Sequence, residues 1–226
     1  MKLFSLLLAV PFVASCIVVI GDGDWDSDAK ERVHGSGRIV AEQRSSEPFE
    51  HVHLDTAADV RVTIGEETSI LVRADDNALP YLLTDVRNGK LSIDRSSDVR
   101  LRNVNVEIEI VTPSLASFVI DGAGDVWIDG LAEDDFQAEI DGAGNLHASG
   151  AVESLAAEID GAGSLSLGAL EARNASVEID GSGNIQVHAT EALRYTIDGS
   201  GNIVYAGSPA LRGSIHGSGN VRPLER

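Results

Sequence analysis

From Ile120 onward, apolar and polar residues alternate in short runs interrupted by glycine, as in Leu193, Tyr195 and Ile197 before one break and Ile203 and Tyr205 after it. A period of two is the pattern of a β-strand with one buried face. The breaks themselves recur. Ile-Asp-Gly-small-Gly-polar begins at Ile120, Ile140, Ile159, Ile179 and Ile197, and again at Ile215 with His216 in place of Asp, at intervals of 20, 19, 20, 18 and 18 residues. A second break lies midway through each period, at Asp129-Gly130, Ser149-Gly150, Gly168 and Gly207-Ser208-Pro209, so each period reads as two short strands and two turns.

Two all-β architectures fit this pattern. Asp-Gly flanked by alternating hydrophobics is a hairpin signal and would give an antiparallel meander. Alternatively each period is one coil of a parallel β-helix, stacked on the coil before it. Like-on-like repetition favours the β-helix with coils of 18–20 residues: stacking sets Ile on Ile, Gly on Gly, and Asn184, Asn202 and Asn220 in one ladder. The variation in length falls away from the Asp-Gly-x-Gly corner, as expected if that corner is stacked tightly and another is loose. One coil cannot bury its own apolar face, so the stack needs neighbours along its length and covers at its ends. The segment Val221–Arg226, with charge and a proline, suits an exposed end.

Strand-like alternation also runs through the first half, in Val52 and Leu54, Val60 to Ile64, Ile70 and Val72, Leu91 and Ile93, and Val104 to Ile110, but without the glycine signature. These segments read as irregular coils leading into the regular ones. Ala78 to Thr84 reads as a short helical interruption, Asn88-Gly89 as a turn, and Gly35-Ser36-Gly37-Arg38-Ile39 as a first, degenerate copy of the repeat.

Composition narrows the function. The 226 residues carry 17 Lys and Arg against 36 Asp and Glu, a formal charge of −19, which disfavours nucleic acid because phosphate binding needs a basic footprint. Sixteen acids against Arg173 and Arg194 lie between Ile120 and Leu211, so most of the charge belongs to the repeats. Aromatics are 4% of the chain, leaving Ile, Val, Leu and Ala to build the core. The one cysteine, Cys16, permits no internal disulfide and no cysteine-based metal site.

Cys16 has a different context. MKLFSLLLAVPFVASC has the basic start and apolar run of a secretory signal, and Val13-Ala14-Ser15-Cys16 resembles the lipobox of bacterial lipoproteins, in which the cysteine becomes the first mature residue and carries lipid. Retention as an uncleaved anchor, since the apolar run continues to Ile20, and cleavage by an ordinary signal peptidase are the competing readings. All three put the folded part outside the cytoplasmic membrane. The expected layout is a signal peptide over 1–15, a lipidated acidic tether over 16–32 and one domain over 33–222. Ile17 following the cysteine, where an inner-membrane retention aspartate would stand, points to an outer membrane lipoprotein. The tether's alternating acids resemble the opening of an EF-hand loop, but Ser27 and Val33 stand where Gly and Glu are required.

Catalytic motifs are lacking: there is no G-x-S-x-G elbow, no H-E-x-x-H, no phosphate loop and no dinucleotide fingerprint. The glycine pairs are explained by corners that require φ > 0, and the preceding Asp by an Asx turn. His51 and His53 share a strand face, but Val52 and Leu54 claim the interior, which leaves the histidines solvated. Stacking also creates an outward column of Trp127, His147, Ser166, Gln186 and Val204, in which Trp127 and His147 form the candidate ligand face, because an exposed indole offers a surface on which a sugar ring stacks.

Gly183-Asn184-Ile185, Gly201-Asn202-Ile203, their Asp-Gly-Ser-Gly corners, the lead-in from Phe49 through Asp59-Val60, and Asn88-Gly89-Lys90-Leu91-Ser92-Ile93 resemble the auto-transporter adhesin head, or GIN domain, a bacterial family of unknown function. The resemblance covers roughly Val33 to Arg222. It implies a secreted or lipid-anchored right-handed parallel β-helix and, by the family's name, adhesion, and it brings no catalytic residues. Asp125 and Ser164 in the Asn position, and His216 in the Asp position, depart from the strict repeat. The expected function is therefore a non-enzymatic envelope module for adhesion or scaffolding, without cofactor, meeting the membrane through its lipid and a cell-surface glycan or an envelope protein through its folded part. The alternatives are a calcium-binding β-roll, because stacked Asp-Gly-x-Gly corners resemble calcium repeats, and a glycan-active β-helix enzyme.

Overall fold

The computed structural model of the chain describes residues 31–224. The leader and Cys16 lie outside them, and no helix among the described residues is long and apolar enough to cross a membrane. The first half holds β1 (Glu31–His34), β2 (Ile39–Arg44), β3 (His51–Asp55), β4 (Asp59–Ile64), β5 (Ser69–Asp75), β6 (Leu82–Arg87), β7 (Lys90–Arg95), β8 (Val99–Arg102) and β9 (Val106–Thr112). The repeats form β10 (Ser117–Gly122), β11 (Asp125–Gly142), β12 (Asn145–Gly161), β13 (Ser164–Gly181), β14 (Asn184–Gly199), β15 (Asn202–Ala206), β16 (Ala210–Gly217) and β17 (Asn220–Pro223). β1 begins two residues inside the span expected for the tether.

From β10 to β17 the chain is the parallel β-solenoid expected, each coil hydrogen-bonded to the next. Ile120, Ile140, Ile159, Ile179, Ile197 and Ile215 stack in one column, with the acids Asp121, Asp141, Asp160, Asp180 and Asp198 beside them and His216 at its end. All of these isoleucines except the terminal Ile215 are fully buried. One coil has three sides, where two strands were expected. In β13, Leu165 and Leu167, then Leu170 and Ala172, then Ala175, Val177 and Ile179 point inward, with bends between the groups. The strand runs on through the bends because bulges absorb them: the register slips at Ile128/Leu131, His147/Ser149, Leu167/Glu171 and Ala172/Asn174, and nowhere at the Asp-Gly corner. That is where the 18 to 20 residue variation goes.

The two glycines of a corner have different reasons. The first has positive φ, 123° at Gly181 and 129° at Gly199, a region L side chains rarely adopt. The second does not; a Cβ at Gly183 would sit 2.6 Å from Ile159 Cγ2 and 2.9 Å from Gly163 O of the coil below. Only close approach of the coils forbids a side chain there. No Asx turn forms: the amides after the corner bond across coils, Ser182 N to Gly161 O at 2.8 Å and Asn184 N to Gly163 O at 3.1 Å, and the Asp carboxylates stand exposed. Inter-coil backbone bonding already occupies the amides an Asx turn would use.

The first half corrects the expectation of irregular coils. β3 and β4 do form a coil, lying parallel under β10 and β11, and Asp55-Thr56-Ala57-Ala58-Asp59 takes the corner beneath Asp121-Gly122-Ala123-Gly124-Asp125. β7 and β9 lie parallel beneath β3 and β4. The chain thus makes the 90–112 coil after the 51–64 coil but places it below, and residues 113–116 climb back to start β10. Beyond these, β2, β5 and β6 are antiparallel and close the end of the stack. β6 and β7 join through Asn88-Gly89 with φ of 53° and 75°, a two-residue turn of type I′. The helical interruption shrinks to one 3-10 turn, Leu79–Tyr81.

Gly35-Ser36-Gly37 is no copy of the repeat. It is a loop clamped by Asp75, Asp76 and Asn77: Gly37 N donates to Asp75 Oδ1 (2.6 Å), Ser36 Oγ to Asp76 Oδ1 (2.6 Å) and Ser36 N to Asn77 Oδ1 (3.1 Å). Asp75 is buried and also accepts from Asn105 N at 3.1 Å.

Candidate binding face

The register assembles the outward column as expected, Trp127 beside His147, Ser166, Gln186 and Val204, and extends it at both ends, through Arg61 and Glu109 on one side and Arg222 on the other. Each side chain projects because its neighbours, such as Val126, Ile128, Leu146 and Leu165, take the interior. The Trp127 and His147 rings stack, with centroids 5.9 Å apart and planes 7° from parallel. Arg61 lies over the indole at 5.4 Å, a cation–π contact. Both faces of Trp127 are thereby covered by members of its own column. A sugar ring cannot stack flat on it, and what the indole offers is its rim. Arg61 was missed in the sequence because β4 lacks the repeat signature that would have aligned it with Trp127. Arg73 pairs with Glu109 at the head of the column.

On one flank Trp127, His147, Ser149, Ser166, Ala169 and Gln186 line an open groove of about 400 Å³. On the other, Asp59, Arg61, Glu107 and Glu109 surround a smaller hollow of about 260 Å³ with Trp127 as its wall. His51 is exposed and its Nδ1 lies 2.9 Å from Ser117 Oγ, while His53 on the same strand is half-buried.

Acid columns run along other parts of the surface. Glu158 lies between Glu139 and Glu178, and partial loss of its water together with those two charges and Asp160 raises its carboxyl above the usual value. Asp55 is raised in the same way, first by desolvation and then by Asp94 and Asp121. On the third side Arg173 bridges Glu153 (3.3 Å) and Glu191 (2.8 Å). Asparagine stacking occurs where expected, Asn202 Nδ2 donating to Asn184 Oδ1 at 3.0 Å, and Asp125 in the Asn position accepts from Asn145 Nδ2 at 2.7 Å. No group of three or more His, Cys, Asp and Glu among the described residues is arranged to hold a metal ion.

The family model described as "putative auto-transporter adhesin, head GIN domain" matches residues 48–209. The chain belongs to this family. Its matched span starts just before β3, at the first coil of the stack, and excludes the loop clamped by Asp75–Asn77. Among solved structures, a putative adhesin from Bacteroides fragilis NCTC 9343 is 22% identical and superposes with a TM-score of 0.69, covering 85% of this chain and 100% of its own. A putative lipid binding protein from Parabacteroides distasonis ATCC 8503 gives 22% identity and a TM-score of 0.60, covering 86% and 100%. A putative adhesin from Parabacteroides merdae ATCC 43184 gives 19% and 0.56, covering 86% and 100%. At these identities the likeness is one of fold. Comparison with curated proteins gives no match. Membership of this adhesin-like family is the broad functional statement, and it agrees with a protein of the cell envelope or surface.

Proposed function

We propose that the protein is a non-enzymatic binding module of the cell envelope, held at the outer membrane by lipid on Cys16, and that it engages a cell-surface glycan along the row from Trp127 to Gln186. The observation that carries this is the Arg61–Trp127–His147 stack. It is an aromatic ridge held in place by strands on both sides and flanked by an open groove with the hydroxyls of Ser149 and Ser166 and the Gln186 amide. Rigid aromatic surface beside a few hydrogen-bonding groups is what a glycan needs, with little ordering cost on the protein side. Because the ring faces are covered, contact runs along the indole edge, where Nε1–H is a donor.

The test is a glycan array probed with the wild type, Trp127→Ala and His147→Ala. Binding in the wild type that is lost in both variants, with circular dichroism unchanged, is the expected result. Binding that survives both substitutions removes this face from consideration. Lipid attachment is read separately by labelled palmitate, which should enter the wild type and not Cys16→Ser, and by fractionation.

A further inference from the structure

We infer that β16 is an association edge through which two copies of this chain join antiparallel, about a two-fold axis at Gly213. The two ends of the solenoid are finished differently. At the first, the terminal strands β2 and β6 carry charges that pair along their own strand, Arg44 with Glu42 at 3.1 Å and Arg87 with Asp85 at 2.7 Å. Such charges blunt an edge against pairing with another chain. At the other end β16 pairs, among the described residues, with β14 alone, all eight of its residues are exposed there, and it contains no acid, proline or bulge.

β16 also carries the interior columns out into solvent. Leu211 and Ile215 are 46% and 39% exposed, although Leu193 and Ile197 directly beneath them are fully buried. The acid columns, in contrast, stop before this end: His216 follows Asp198, Thr196 and then Ser214 follow Glu178, and no acid occurs between Asp198 and Glu225, whereas Arg212 and Arg222 do. The last strands β15, β16 and β17 therefore bring no negative side chain that would keep two such acidic molecules apart.

The occupant is a second copy because the strand complements itself in reverse. With Gly213 opposite Gly213 of the other copy, Leu211 meets Ile215, Ile215 meets Leu211, and both aliphatic columns continue across the junction. Arg212 meets Ser214, so the arginines stand diagonally and not face to face. Gly213 has no side chain at the axis, and a Cβ there would meet the Tyr195 ring 2.6 Å away, so the residue keeps the crossing point low. Pairing of one patch with itself gives a closed dimer. This inference needs neither the lipid nor the ligand row, and its outcome is independent of the proposed function.

The experiment is sedimentation of the full chain in non-ionic detergent, where a concentration-dependent monomer–dimer equilibrium is expected. Ser214→Glu, facing Arg212 twice by symmetry, should tighten the dimer about fivefold, and Ser214→Arg should weaken it about as much. Ile215→Asp should leave only monomer. Because that variant could disturb the last coil, Arg212→Cys with Ser214→Cys is the companion: directly opposed residues are within disulfide reach and diagonal ones are not. The double variant should give a covalent dimer on a non-reducing gel, and neither single variant should exceed the wild type. A monomer at every concentration, the same direction of change for Ser214→Glu and Ser214→Arg, or open filaments made by stacking one end on the other would each overturn the inference.

Discussion

Between Ile120 and Gly217 each coil rests on a copy of itself, and between Val33 and Thr112 no strand does. In the repeats, register follows from identity: a shift of one residue would put Asp where Ile stacks and Ile in water. No single contact is decisive there, because the same contact recurs in the coils above and below. The first half has no such redundancy. Its strands run in both directions, its coils stack out of chain order, and its end is pinned by one buried carboxylate that ties three separate segments together. Repetition lets a fold be specified many times over, while a cap, which must stop the repetition, is specified by contacts that occur once.

The largest expected effect breaks the cap. Asp75→Ala removes the buried carboxylate that accepts from the amides of Gly37 and Asn105, and losing these two charge-assisted hydrogen bonds should cost about 3 kcal/mol in urea unfolding. Amide exchange should show β2 and β5 losing protection while β12 and β13 keep theirs; uniform loss would mean that cap and stack form one cooperative unit.

Next in size is a paired substitution at one corner position in the two regions. Gly183→Ala forces a methyl group against Ile159 and should cost about 2 kcal/mol, because the closely packed coils have little room to move apart. The corresponding position in the 51–64 coil already holds Ala58, and Ala58→Gly should cost under about 1 kcal/mol, chiefly in unfolded-chain entropy. Equal costs would show that the corner is not packed more tightly in the repeats.

The smallest effects concern the acid columns that distinguish the repeats. Asp180 stands exposed between Asp160 and Asp198, so Asp180→Asn should leave stability equal or raise it by under about 1 kcal/mol without calcium. A melting temperature that climbs with calcium in the wild type and not in this variant would instead mark a calcium site. Glu158 has a folded-state carboxyl raised above its ordinary value, so its ionisation opposes folding, and this penalty disappears as pH falls through the raised value. Glu158→Gln should therefore raise the melting temperature slightly at pH 7 and leave it unchanged near pH 4, where the carboxyl is about half protonated even when unfolded and more so when folded. A gain that persists at low pH would rule out charge as its cause.

The repeat period, the parallel stack, the tight Asp-Gly-x-Gly corner and the outward row from Trp127 to Val204 were all legible in the residues, because stacking converts a spacing along the chain directly into a contact in space. The type I′ turn at Asn88-Gly89 was legible for a local reason, since that dipeptide tolerates φ > 0 at both positions. What only the tertiary structure decided lies where no period links the partners. Arg61 reaches Trp127 because β4 lies under β11, and Asp75 reaches Gly37 across an antiparallel pair that alternation alone cannot orient, since both strand directions bury every second residue. The third side of each coil was also hidden, because one of the two bends, as at Ala172/Asn174, is absorbed by a bulge without the glycine or proline that marks a turn. Periodicity records which faces of a strand are buried; direction, order of stacking and what covers a given ring are settled by long-range packing, which leaves no periodic trace in the chain.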